Sequence, residues 1–315
     1  MKKYIEVVSY NPNWPHIFEV EAKVIKEALG DNCMEIHHIG STAVPGLAAK
    51  PKIDMIASVE NPSIVVEQLE KIGIQYRGEY NIPLHYGFSK RGEVDINLHI
   101  YETGHPEIEL NLMFRDYLRS NDQVREQYAL LKEKLLTDES SFVKNTSEFT
   151  NYTLRKGDFI REVLKEAGFK RLRMLKCNDE TEWKAAKYFR QKYFFLHQGI
   201  NDLYTWTFKH PHHAHLILYQ GTEIIGYIHV QFWPGNRAAI RIIVIEEGKR
   251  NSNSGTRFLA LCEKWLKSIG INWLHANSSP ASIKFYAKNG YVEMPFNDPE
   301  EHESGPQDIA VGKVL

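Results

Sequence analysis

His38-Ile39-Gly40-Ser41-Thr42-Ala43-Val44-Pro45-Gly46-Leu47, running on to Lys50-Pro51-Lys52-Ile53-Asp54, decides how the first half of this chain folds. An apolar run from Cys33 to Ile39 breaks at Gly-Ser-Thr and Pro-Gly, then resumes as an apolar strand carrying one carboxylate. Gly40 permits a sharp backbone turn, and Ser41 and Thr42 offer hydroxyls and amides to a phosphate. Asp54 lies between Ile53 and Met55, so on a strand its carboxylate stands on the face opposite to theirs. Glu93 to Tyr101 repeats the theme: Val94, Ile96, Leu98 and Ile100 alternate with Asp95, Asn97 and His99. That is a half-buried strand with one apolar and one chemical face. Hard oxygens on two such strands suit a divalent cation beside a phosphate.

The elements around that stretch alternate. Ile17, Phe18, Val24, Ile25 and Leu29 space a helix over 14–29 that Gly30 stops. Strands are expected at 33–39, 52–58 and 93–101, and a helix over 62–72 opened by Pro62 and stopped by Gly73. Three more helices are expected at 111–119, 121–135 and 147–167. Gly168 closes the last, and Lys170-Arg171-Leu172-Arg173 starts a new strand, so the boundary between two domains, 1–169 and 170–315, falls near residue 170. The chain's 315 residues are enough for two separate cores.

Lys and Arg number 39 against 40 Asp and Glu, a net charge of −1, so no global charge draws the chain to nucleic acid or to a membrane surface. No apolar run approaches the length of a membrane span, and Met1-Lys2-Lys3 is followed at once by Glu6, so no signal peptide is expected. Cys33, Cys177 and Cys262 lie far apart without C-x-x-C spacing and read as free thiols of a reducing cytoplasm.

The second half opens with a strand at 171–176 and a helix carrying Trp183, Ala186, Phe189 and Arg190. Apolar runs at 213–220 and 222–232, separated by Gln220-Gly221, read as a hairpin. A strand over 238–245 leads into the polar loop Glu247 to Gly255 and an amphipathic helix over 256–268. A strand at 272–277, a helix at 280–289, a strand at 291–295, a polar loop at 296–307 and a strand at 308–315 complete the chain. Strand, glycine-containing polar loop and helix in that order bring several backbone amides and a helix N-terminus to a pyrophosphate.

Two resemblances follow from these motifs. Tyr10-Asn11-Pro12-Asn13-Trp14-Pro15, the 38–54 stretch, Asn97-Leu98-His99 and Phe114-Arg115-Asp116-Tyr117-Leu118-Arg119 together resemble the GrpB family over most of residues 1–169. The resemblance implies a nucleotidyltransferase-like α/β domain with a mixed sheet. Nucleotidyl transfer uses two or three carboxylates around Mg²⁺, and that superfamily sets two acids one residue apart on the strand after Gly-Ser. Here Lys52 and Ile56 occupy the positions flanking Asp54, so one acid of the pair is missing. Asp95 is the candidate for the remaining acid and His99 for a supporting ligand, with Gly40, Ser41, Thr42 and Lys50 around a nucleotide or phosphate. The other reading, a polar cluster that only holds the fold, stays open.

Residues 171–315 resemble the GNAT acetyltransferase superfamily. Arg250-Asn251-Ser252-Asn253-Ser254-Gly255 is similar to its acyl-CoA loop, with Asn253 where the first glycine is usual. The Glu223-Ile224-Ile225-Gly226-Tyr227 hairpin and Ser278-Ser279-Pro280 to Phe285-Tyr286-Ala287-Lys288-Asn289-Gly290-Tyr291 carry the rest of the likeness. The resemblance implies acetyl-CoA-dependent transfer to an amine, on a small molecule or a protein. It implies CoA contacts from Val244, Ile245, Arg250, Ser252, Asn253, Ser254, Gly255 and Thr256, with Asn277 on the pantetheine chain. It also implies Tyr286 as the acid that protonates the leaving thiolate. The general base stays open between Glu246 or Glu247, acting through water, and His229. The run His210-Pro211-His212-His213-Ala214-His215 lacks a third ligand of known spacing and is not read as a metal site. The acidic loop Asp298-Pro299-Glu300-Glu301-His302-Glu303 reads as a solvated loop or as an attractor for a cationic amine. Acceptor identity and oligomeric state are not legible.

Overall fold

The apolar spacing after Asn13 produces the first helix, α1 (Trp14–Leu29), in a computed structural model that describes residues 6–144, 149–196, 199–300 and 305–315. Pro15 pre-sets the first turn, and Gly30, at φ +57°, ends the helix in a conformation that side chains resist. The chain divides into two compact units, Met1–Arg173 and Met174–Leu315.

In the first unit five strands, β1 (Cys33–Ile39), β2 (Lys52–Val59), β3 (Gln75–Gly78), β4 (Tyr86–Lys90) and β5 (Asp95–Glu102), form a mixed sheet in the order β1-β2-β5-β4-β3. β2 runs antiparallel to β1 and parallel to β5. Ile53, Met55, Ala57 and Val59 of β2 and Ile96, Leu98 and Ile100 of β5 pack with Trp14, Ile25 and Leu29 of α1 into the main core. Each large side chain taken out of water there contributes about 1.5–3 kcal/mol. The opposite face of the sheet carries Lys52, Asp54, Asp95, Asn97 and His99, because side-chain direction alternates along a strand. The helices are α2 (Val65–Glu70), α3 (Pro106–Ser120), α4 (Asp122–Thr137), α5 (Asn151–Leu154) and α6 (Gly157–Glu166).

Several boundaries differ from the periodicity. The helix expected over 62–72 splits into a short 3₁₀ turn, Pro62–Ile64, and α2, because Asn61 caps Ser63 before the α-helix begins. β3 and β4 were not expected; their residues are short and mixed in polarity. α3 starts five residues earlier than its apolar pattern, with Pro106 in its first turn and His105 accepting from the Glu107 amide. The expected helix 147–167 is two helices, broken between Leu154 and Gly157, and its first residues, 147 and 148, lie outside the described residues.

The second unit is a seven-stranded sheet in the order β11-β12-β10-β9-β8-β7-β6, built from β6 (Leu172–Lys176), β7 (His213–Gln220), β8 (Glu223–Trp233), β9 (Arg237–Ile245), β10 (Trp273–Ser278), β11 (Val292–Glu293) and β12 (Ile309–Val314). β7 and β8 form the expected hairpin, with Gln220 opposite Glu223 around Gly221 at φ +60°. α7 (Glu180–Arg190) starts with a capping box between Asp179 and Glu182 and runs on as a π-helical turn, Gln191–Phe195. α8 (Ser254–Ser268) and α9 (Ile283–Lys288) complete the unit. The last helix is shorter than 280–289, and the strand expected at 291–295 is only two residues long. Residues 301–304 of the 296–307 loop lie outside the described residues. Among the described residues no helix is long and apolar enough to cross a membrane.

Candidate functional sites

In the second unit β9 and β10 run parallel from Arg237 opposite Trp273 to Ile240 opposite Ala276, and pair no further. Beyond that rung β9 continues to Ile245 along β8, while β10 follows β12 as far as Ser278 opposite Ile309. The two central strands therefore splay, and the edge of β9 from Arg241 to Ile245 that faces β10 has no strand beside it. Val244 and Ile245, both buried, end that edge.

The loop after Ile245 turns twice through left-handed backbone, at Asn251 (φ +62°) and Asn253 (φ +63°). Asparagine tolerates this region better than most residues, so Asn253 makes the turn at the position where glycine is usual. Ser252 Oγ donates to the Lys249 carbonyl at 2.7 Å and lies 2.8 Å from Ser254 Oγ, which ties the loop to the start of α8. No side chain caps α8, and its first internal bond runs from the Arg257 amide to the Asn253 carbonyl at 3.1 Å. The amides of Ser254, Gly255 and Thr256 are thus the open donors at a helix N-terminus, where the macrodipole favours an anion. A Cβ on Gly255 would meet Phe285 Cε2 at 3.3 Å. Arg250 turns back: its Nε donates to the Ile245 carbonyl at 2.9 Å and its guanidinium lies 5.1 Å from the Tyr193 ring centre.

A cavity of about 280 Å³ lies at the splay, lined by Asn277, Ile240, Ile242, Phe194, Phe195 and Phe296 together with Arg190, His229 and Arg241. Its polar wall is a buried network. Arg190 holds Asp202 through two bonds, Nε to Oδ2 at 2.6 Å and Nη2 to Oδ1 at 2.9 Å. The same guanidinium donates to Nδ1 of His229 at 3.1 Å, and because arginine only donates, the His229 proton sits on Nε2, which faces His213 Nδ1 at 2.8 Å. His215 Nε2 donates to the Thr207 carbonyl at 3.1 Å, leaving its Nδ1 to accept from the Tyr227 hydroxyl at 2.6 Å. Arg241 is matched by Asp298 at 2.5 Å and by Gln231 at 2.6 Å.

The contacts made by two of the three sequence candidates for the base, His229 and Glu246, correct them. His229 has each ring nitrogen engaged, and burial, with His215 and Arg190 nearby, holds it neutral well below the ordinary imidazole range. Glu246 accepts from Lys192 at 2.6 Å and from the Tyr193 hydroxyl at 2.7 Å. Burial pushes its carboxyl up, but those two bonds outweigh it and hold the carboxyl below its usual range. The acidic loop is corrected as well, since Asp298 is spent on Arg241; Glu301, His302 and Glu303 lie outside the described residues. Tyr286 is 4% exposed, with its ring 5.1 Å from that of Tyr291 and its neighbour Cys262 on α8. Its hydroxyl makes no hydrogen bond among the described residues, and burial pushes it well above the ordinary phenol range, so it stays protonated.

In the first unit Gly40 stands at φ +71°, and its missing Cβ would lie 2.8 Å from Asp54 Oδ2. Asp54 Oδ1 accepts from Asn97 Nδ2 at 2.8 Å. The expected metal set fails here. The residue beside Asp54 on β5 is Asn97, an amide; Asp95 sits opposite Lys52 and pairs with Arg91 at 3.6 Å. His99 turns its Nδ1 to His85 Nε2 at 2.9 Å. Among the described residues no group of three or more His, Cys, Asp or Glu could hold a metal ion. Thr42 is also corrected: it is buried, its hydroxyl donates to the Lys52 carbonyl at 3.1 Å and it accepts from His38 Nε2 at 3.0 Å. Arg115 and Asp116 form an internal pair, Nε to Oδ1 at 2.7 Å.

What reaches Ser41 instead is a lysine, and two more share one aromatic ring of the same unit. Lys132 of α4 donates to Ser41 Oγ at 3.2 Å and to the Ala48 carbonyl. Lys50 and Lys156 lie 4.4 Å and 4.8 Å from the centre of one ring, that of Tyr152. Lys132 and Lys156 escaped the sequence reading because a lone lysine on a helix is indistinguishable from a solvated one until the fold is known; the same holds for Arg190 and Asp202.

The family model described as GrpB protein matches residues 4–166, and the one described as Acetyltransferase (GNAT) family matches residues 177–291. A UPF0157 protein of Halalkalibacterium halodurans is 37% identical over 166 residues, covering 52% of this chain and 82% of that protein. The crystal structure of conserved protein GrpB from Enterococcus faecalis shares 34% identity at a TM-score of 0.45, over 51% of this chain and 96% of that one. The PaiA N-acetyltransferase from Thermoplasma acidophilum, solved in complex with coenzyme A, shares 16% identity at a TM-score of 0.36, over 46% of this chain and 99% of that one.

Proposed function

Because the chain belongs to the GrpB family and carries a GNAT acetyltransferase domain over residues 177–291, we propose that its second unit transfers an acetyl group from acetyl-CoA to an amine. The observation that supports this reading is the splay beyond Ile240 and Ala276, with the unpaired edge of β9 ending at Ile245, whose Cγ1 would lie 3.7 Å from a Cβ on Gly255 at the uncapped N-terminus of α8. Pyrophosphate is received by the Ser254, Gly255 and Thr256 amides. The pantetheine lies along the unpaired edge of β9, with Asn277 across from it, and the acceptor enters the aromatic-lined cavity. A neutral amine nitrogen attacks the thioester carbonyl, the carbon–sulfur bond breaks, and Tyr286 gives its proton to the departing thiolate. Neither Glu246 nor His229 takes the amine proton in this scheme; it passes to solvent. Acceptors are small-molecule or protein amines.

The test uses the full chain: calorimetry with acetyl-CoA, then thiol release against a panel of amines. Binding in the micromolar range and amine-dependent thiol release support the reading. No binding at high micromolar acetyl-CoA overturns it.

A further inference from the structure

The acyl-transfer scheme does not use a second cavity in the second unit, of about 530 Å³, lined by Arg237, Trp273, His275, Met294, Pro295 and Phe296. Its place follows from strand register. On the closed side of the splay Ala239 stands opposite His275 and Arg237 opposite Trp273, so these four side chains share one face of the sheet. Asn277 lies two residues further along β10 on that face, about 7 Å from His275. Phe296 lines both cavities. His275 is 4% exposed, yet among the described residues neither of its ring nitrogens has a hydrogen-bond partner. Its ring stacks on Trp233 at 5.7 Å and lies 5.0 Å from Phe296. Gly312, opposite it on β12, leaves it room, since a Cβ there would stand 3.0 Å from Nδ1. Trp233 Nε1 is buried without a partner as well. An imidazole packed this way is costly, because one nitrogen carries a proton with nothing to receive it. Stacking alone would be served better by phenylalanine. Arg237 is the only charged residue lining the cavity. Its Nε donates to the Pro234 carbonyl at 3.1 Å, its guanidinium rests 5.5 Å from the Trp233 ring centre, and no carboxylate pairs with it among the described residues.

Resting on the acyl-transfer reading, we propose that this cavity takes the carboxylate of the acceptor. The acceptor is then a small amino acid, with its amine at the splay and its carboxylate between Arg237 and His275. One carboxylate balances the single cation, whereas a phosphate monoester brings close to two negative charges. The two Nη groups of Arg237 form the planar fork that a carboxylate accepts bidentately, and His275 supplies a third donor. Burial first, and then the nearby Arg237, hold His275 below the ordinary imidazole range, so it meets the carboxylate as a neutral donor rather than a second cation. The two-residue step on β10 leaves only a few bonds between amine and carboxylate, the reach of an α- to γ-amino acid. A protein N-terminus carries an amide in that place instead. Trp273, Met294, Pro295 and Phe296 give the rest of the cavity an apolar wall that suits an apolar side chain.

The test runs on the full chain with matched pairs, leucine against leucinamide and phenylalanine against phenylalaninamide, read as thiol release from acetyl-CoA. The amide amines are the less basic, so amine ionisation favours the amides and a preference for the acids belongs to the site. For at least one pair kcat/KM is expected to be about tenfold or more higher for the acid. That ratio is expected to fall about tenfold in Arg237→Gln and in His275→Phe, each of which removes a donor to the carboxylate. His275→Phe keeps the aromatic stack, and circular dichroism with CoA calorimetry verifies that both variants are folded. Acids turned over no faster than amides while CoA binds, or an acid preference unchanged in both variants, overturns the proposal and leaves the acyl-CoA site standing. Absence of acetyl-CoA binding overturns the acyl-transfer reading instead, and the cavity is then judged by calorimetry with leucine and phenylalanine. There, binding lost in Arg237→Gln upholds the carboxylate site; no binding at millimolar amino acid, or binding unchanged in that variant, overturns it.

Discussion

The Cβ that Gly40 lacks would stand 2.8 Å from Asp54 Oδ2, closer than real Cβ contacts come. Turn and carboxylate are therefore fitted to one another, and Gly40 also needs its positive φ of +71°. Gly40→Ala is expected to cost about 1–3 kcal/mol from backbone strain and the clash together. In Asp54→Ala, which removes the clashing oxygen and leaves the strain, the same substitution is expected to cost less. Denaturant midpoints of the four variants check this; an equal cost in both backgrounds would mean the two residues do not press on each other.

Gly255 stands in the same relation to its surroundings in the second unit. Its Cβ would meet Phe285 at 3.3 Å, and the backbone there must also admit a phosphate. Gly255→Val is expected to abolish detectable CoA binding while the unit remains folded, with a stability loss of about 1–3 kcal/mol from overpacking. Calorimetry with CoA and circular dichroism read the two effects separately. Unchanged affinity in the folded variant would remove the α8 loop from the site.

The fold was legible where one signal was strong and local. The apolar spacing of α1, the alternation through β5 and the glycine at 221 each set an element within a few residues, because burial on one face leaves little choice of register. The Asn253 turn was legible too, since asparagine tolerates positive φ. Charge partnership was not. Whether Glu246 is a free base or is tied to Lys192, 54 residues away in sequence, depends on where the π-turn after α7 puts a lysine. Likewise nothing before folding says that Asp54 meets Asn97 rather than Asp95, because a parallel register of two residues decides it.

Tyr286 is buried, protonated and without a hydrogen-bond partner among the described residues, the condition of a donor awaiting an acceptor. Tyr286→Phe keeps the ring packing against Tyr291. It is expected to leave acetyl-CoA affinity within about threefold and to lower kcat by about a hundredfold or more, the range of a lost general acid. Steady-state kinetics paired with calorimetry check it. Parallel losses of binding and turnover would mark Tyr286 as a packing residue instead.

Stability should fall on the acid side of neutrality because both units bury histidines in neutral form. Burial, with Arg119 and Arg115 close by, puts His38 at about 4; burial, with His99 beside it, puts His85 at about 3. In the second unit burial puts His215 at about 3. Each of these folded values lies below the unfolded value near 6.5. Between those limits the unfolded chain binds protons that the folded chain refuses, so unfolding free energy decreases as pH falls. Above about pH 6.5 both states are neutral at these sites and their contribution is constant; the loss runs from about pH 6.5 down to about pH 3. Denaturant midpoints measured from pH 7.5 to 4 should decline over this window, with the decline shallower in His38→Gln, which keeps a donor for Thr42 and cannot take up the proton. A His38→Gln profile parallel to that of the wild type would show that His38 contributes nothing to the acid sensitivity.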